Sequence, residues 1–170
     1  MKADLTLMQA TLATALEDLH TRIAEAVLAL DARALDWRPA PGISSVHELI
    51  VRVAAEEWRW IAVCVVAGMA VSATAPSDCD RAASSTLPLS DHPLHDLGNA
   101  GQISQTVLAA LAPTAWTELR EMDGGQVTVA GCVLHVLEEL ARTLGQIEVV
   151  AQWWGAGTEA RGAKGVKRKM

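Results

Sequence analysis

Neither phenylalanine nor tyrosine occurs in this chain, so six tryptophans carry all the aromatic bulk that its 170 residues can place in a core. The rest of a 51% apolar composition is mainly alanine, leucine and valine. Alanine and leucine lose little conformational freedom in a helix, and the mixture favours helices over strands. Cysteine is sparse as well. Cys64, Cys79 and Cys132 form no CxxC pair and lack the density of a secreted disulfide scaffold. Cys64 and Cys132 fall in apolar runs and read as buried small hydrophobes, whereas Cys79 lies in a polar stretch and is the thiol expected to react. Positive charge is in deficit: the formal net charge is −6. That argues against a general nucleic-acid binder, whose affinity rests on neutralising phosphates. Long apolar runs are missing too. The longest, Ile61 to Val71, is about half of what a bilayer span requires. Gln9, Thr11, Thr14 and Glu17 interrupt any signal-peptide core, and a cytoplasmic protein without membrane contact is expected.

What is present is helical periodicity. Leu5, Met8, Leu12, Leu16, Leu19, Ile23, Val27 and Leu30 recur at steps of three and four, predicting a first helix over Asp4 to Leu30. Pro39, Pro41 and Gly42 make residues 31–43 a linker without helix. Ser45 followed by Glu48 is a capping box that opens a second helix reaching about Met69. On its wheel Val46, Leu49, Ile50, Val53, Trp60, Ile61 and Cys64 share one apolar face. Residues 72–95 read as a long polar crossover, with His92 and His95 near its end. A shorter third helix covers Leu97 to Ala112. After Pro113 and a turn at Gly124 and Gly125, Thr128 caps a fourth helix that stops at Gly155. No strand-like alternation is visible. The expected architecture is all-α: one four-helix bundle over residues 1–155, with a long crossover between helices two and three. Residues 156–170 form a basic, Gly-containing tail expected to be disordered.

Two features carry candidate chemistry. His135, Glu139 and Thr143 stand one turn apart and share a helical face, the geometry of a metal-ligand ladder with few of its ligands. Glu57 lies near the centre of the second helix's apolar face, where an acid must find a donor. It reads either as a general base lining a cleft or as part of a buried network with Arg52, Arg59 or a tryptophan indole. His135 reads either as a substitute ligand or as a half-exposed helix histidine. His20, His47, His92 and His95 are scattered. Trp153 and Trp154 project about 100° apart on a helix, so one covers the core while the other meets a loop or a second subunit.

Leu35 to Leu49, with Trp37, Pro39, Pro41, Ser45 and Glu48, and His135 to Ile147, with Gly145 and Gln146, together resemble the two signature segments of the DinB-like (YfiT-like) metalloenzyme superfamily. The resemblance implies a homodimeric four-helix bundle holding zinc or nickel through three histidines, and hydrolase or thiol S-transferase chemistry. The matching positions here are Arg52, Glu139 and Thr143. Arginine cannot ligate a metal, and threonine is a poor ligand for either ion. The expectation is therefore a bundle without metal, in which an Arg52–Glu139 ion pair takes the metal's place with Thr143 at its edge. A polar cleft around Arg52, Glu56, His135, Glu139 and Thr143 would then take a small anionic ligand, or the chain would act through its dimer surface. The alternative is a zinc- or nickel-dependent enzyme with rebuilt ligands Glu56, His135 and Glu139.

Overall fold

The computed structural model describes residues 2–66, 92–122 and 125–166. Its first helix, α1 (Lys2–Leu28), buries Leu16, Ile23 and Val27, as the apolar steps require. Contrary to the expected helix-free linker, a five-residue helix follows, α2 (Ala32–Asp36). Asp31 caps it by accepting from the backbone amides of Arg33 and Ala34, and the prolines lie beyond its end. Ala40, Pro41, Gly42 and Ile43 then make a tight turn closed by the Ile43 amide on the Ala40 carbonyl, with Gly42 at φ 83°. Proline before a left-handed glycine is what such a turn demands.

The capping box forms as the spacing predicts. The Ser45 hydroxyl accepts from the Glu48 amide at 3.3 Å, and the Glu48 carboxylate accepts from the Ser45 amide at 2.9 Å. That backbone bond holds the Glu48 pKa below the ordinary glutamate range, and Arg38 adds an ion pair outside it. The helix it opens, α3 (Val46–Glu57), passes without a break into a π-helical segment, Trp58–Val65. The wider i→i+5 turn rotates the register just after Glu57. As a result Trp58 enters the core, and Trp60, assigned to the apolar face by a regular 3.6-residue wheel, is only partly buried.

Of the expected crossover, all but its last few residues, together with Cys79, lies outside the described residues. Helix α4 (Pro93–Ala110) begins four residues before the expected Leu97, at a proline whose missing N–H costs nothing in a first turn. After a 3-10 turn at Pro113–Thr117 comes an antiparallel hairpin, β1 (Leu119–Met122) with β2 (Gly125–Thr128). Periodicity alone does not reveal it, because four-residue strands are too short to alternate visibly. The hairpin seals the end of the π segment: Arg120 donates to the Val65 carbonyl at 3.4 Å and pairs with Glu118 at 3.0 Å. Below it the Sγ atoms of Cys64 and Cys132 lie 3.8 Å apart as buried free thiols, and burial pushes Cys132 up to about 12.

Helix α5 (Val129–Val166) starts where Thr128 accepts from the Gly131 amide at 3.0 Å. It does not stop at Gly155. A glycine ends a helix by turning left-handed, and Gly42 is the only described glycine that does so. The helix therefore continues into the segment expected to be a separate tail.

Four long helical elements build the bundle. Helix α1 packs against α4 and α5, and α3 packs against the same two, so α1 and α3 face each other across the diagonal. Two side chains pin α1 antiparallel to α4: Gln9 donates to the Leu108 carbonyl at 2.7 Å, and Gln105 to the Ala13 carbonyl at 2.9 Å. Among the described residues no helix is long and apolar enough to cross a membrane. Replacing Ser45→Ala removes the acceptor that starts α3 and is expected to cost about 1 kcal/mol in urea unfolding; an unchanged midpoint would show that tertiary packing alone sets this helix start.

Candidate functional site

Helices α3 and α5 and the turn at Gly42 enclose a cleft of about 570 Å³. Arg52 from α3 and Arg142 and Gln146 from α5 supply its polar wall. Ile43, Val149 and Trp153, each about half exposed, form an apolar rim. Of the three family-like positions only Arg52 lines this cleft, and its pairing differs from expectation. Arg52 donates to the Gln146 amide oxygen at 3.1 Å, about two turns further along α5 than the expected partner Glu139. Glu139 takes Arg142 at 2.7 Å on its own helix. The Arg52–Glu139 pair is not made, because a partner three residues away on the same helix face is always within reach. Arg52 is left with an amide partner and no carboxylate among the described residues.

The remaining expected residues separate. Thr143 is buried in the core. Glu56 binds Arg59 at 2.9 Å and accepts from the Trp60 indole at 3.2 Å. That indole stacks against His135 with ring centroids 4.2 Å apart. Trp60 therefore stands between Glu56 and His135, and Glu139 is engaged by Arg142. Among the described residues no three His, Cys, Asp or Glu side chains come together as a metal-ligand group. The donors at the family-like positions do not fit zinc or nickel either, since one of the three is a guanidinium.

Trp153 and Trp154 divide as their angular separation requires. Trp154 turns to the linker, where its indole donates to Asp31 at 3.2 Å and packs against Trp37 with centroids 5.5 Å apart. Trp153 stays at the cleft rim, 52% exposed.

A second constellation lies on the opposite diagonal of the bundle. The Glu57 side chain is fully buried, and its partner is none of Arg52, Arg59 or an indole. His20 of α1 reaches it, with Nε2 2.8 Å from Oε2. Neither that nitrogen nor either Glu57 oxygen has a well-directed hydrogen bond, so the contact is short but poorly aligned. The approach needs Gly101. A Cβ there would lie 2.7 Å from Cε1 and 2.9 Å from Nδ1 of the imidazole. The signal for His20 was available in the heptad-like steps of α1: it stands four residues after Leu16 and three before Ile23, inside the buried stripe. The signal for its partner was not, because nothing in the sequence pairs residue 20 with residue 57. Compared with known proteins, the chain matches no family model, and no curated protein matches it.

Two outcomes follow for stability. His20→Leu leaves the Glu57 carboxyl group in the core without its imidazole partner and is expected to cost about 3–5 kcal/mol. Adding Glu57→Leu to that variant should recover most of the loss, measured as a double-mutant cycle in urea; strictly additive losses would mean that the two do not interact. Glu139→Gln, by contrast, breaks only a contact within one helix with a half-exposed arginine. It should change stability by less than about 1 kcal/mol in the same assay, and a larger loss would place Glu139 in a buried pair after all.

Proposed function

We propose that this chain is a small-ligand-binding four-helix bundle related to the DinB-like superfamily, working without the metal that such relatives hold. Its ligand is an anion with an apolar body, seated in the cleft of α3 and α5. The observation that carries this reading is Arg52: a guanidinium at the wall of an open cleft whose only side-chain partner among the described residues is a neutral amide. Such a cation is ready to form bidentate hydrogen bonds with a carboxylate, sulfonate or phosphate. Gln146 would lose one contact and offer its amide to the same ligand. Ile43, Val149 and Trp153 supply the apolar surface that sets orientation, the usual division of labour in small-molecule sites. The same rim suits a second copy of the chain, which is the homodimer reading.

The probe of choice is 8-anilinonaphthalene-1-sulfonate, an anion with an aromatic body, followed through its own fluorescence and energy transfer from Trp153. Arg52→Gln should weaken its binding at least tenfold, and added salt should weaken binding to the wild type more than to the variant. Binding unaffected by Arg52→Gln would remove the anion from the proposal. Concentration-dependent loss of the site in sedimentation runs would favour the dimer instead. Elemental analysis of protein purified without chelator is expected to find far less than one zinc or nickel per chain; a stoichiometric ion would restore the metalloenzyme alternative.

A further inference from the structure

On the far side of the bundle from the Arg52 cleft, α1 and α4 leave a groove of about 400 Å³ between them. Its walls are Glu17 and His20 from α1 and Gly98, Gly101, Gln102 and Gln105 from α4. The two glycines keep the α4 wall low, and a Cβ at Gly98 would meet nothing within 4 Å. Every charged group on this wall is an acid or an imidazole; lysine and arginine are absent from it. Gln105 spends one N–H of its amide on the Ala13 carbonyl, which anchors the group and leaves its oxygen as an acceptor beside a second N–H. His20 has one ring nitrogen, Nε2, buried against Glu57. A neutral imidazole that keeps its proton on Nε2, the nitrogen 2.8 Å from the carboxylate, carries its lone pair on the other ring nitrogen, Nδ1. Glu57 is thus a positioning residue: it meets the ring from the core side, as a carboxylate does behind a working histidine.

We propose that this groove is a second binding site, independent of the Arg52 cleft, for a small protonated amine. The ligand's N–H groups are received by the Glu17 carboxylate, the Nδ1 atom of His20 and the amide oxygen of Gln105. An ammonium carries three donors and no acceptor, which matches these three acceptors and the negative charge of Glu17. An anion would meet Glu17 with no cation to offset it. Gly101 is required because its lack of a side chain lets the imidazole lie against α4, and Gly98 is required only to leave the groove open.

The test uses the full chain and ethanolamine at mildly alkaline pH, followed by NMR of the imidazole nitrogens, with His20→Gln supplying the assignment. A saturable shift of the His20 Nδ1 resonance is expected with ethanolamine. Tetramethylammonium, which has the charge but no N–H, should bind at least tenfold more weakly. Gly98→Leu fills the groove from an exposed helix position and should abolish the shift. Glu17→Gln, also at an exposed position, should weaken it at least fivefold, so the proposal stays testable if either variant folds poorly. No saturable shift in the wild type overturns the site. A shift that survives both Gly98→Leu and Glu17→Gln places the amine elsewhere, and equal binding of tetramethylammonium overturns the role of Nδ1 as the N–H acceptor.

Discussion

A carboxylate sealed inside an apolar bundle constrains everything packed around it, and Glu57 is that group. It sits where α3 becomes π-helical, with its side chain fully buried, and its imidazole partner comes from the helix diagonally opposite. Few side chains reach across the diagonal of a bundle. That His20 does so requires α4 to give way between the two, and Gly101 gives way by having no side chain. The register of α1 on α4 must also be right, and the Gln9 and Gln105 bonds to main-chain carbonyls of the facing helix hold it there. Pair, glycine and register form one unit: moving any of them strands a charge in the core, which costs far more than a surface ion pair returns.

The π segment has a comparable reach. By rotating the helix after Glu57 it exchanges two tryptophans between core and periphery, burying Trp58 and leaving Trp60 to bridge Glu56 and His135. This bridging keeps the candidate metal positions apart. The hairpin meets the C-terminal end of the segment, where Arg120 donates to the Val65 carbonyl. The two polar regions of the bundle therefore differ in character. One, around Arg52, is an open cleft with an under-used cation; the other, around His20, is an acceptor-lined groove backed by a buried acid.

Much of this was legible in the sequence. The apolar steps of α1, the Ser45–Glu48 capping box, the Thr128 cap and the burial of Cys64 and Cys132 all follow from local rules and are found in the structure. Local rules also flagged Glu57 as misplaced on its face. They failed where the signal was short or broken. The five-residue α2 hides before two prolines, the hairpin strands are four residues each, and a glycine at 155 reads as a stop although its backbone stays helical.

The sequence by itself determined which residues are apolar, at what period, and where most helices begin, because those properties belong to neighbours along the chain. Which charges meet was decided only by tertiary structure. Arg52 bonds to Gln146 and not Glu139 because Arg142 lies one turn from Glu139 and competes for it on the same helix. His20 meets Glu57 because α4 carries a glycine at the crossing and the bundle places their helices on one diagonal. Pairing depends on distance in space, and no spacing along the chain encodes a contact between residues 20 and 57.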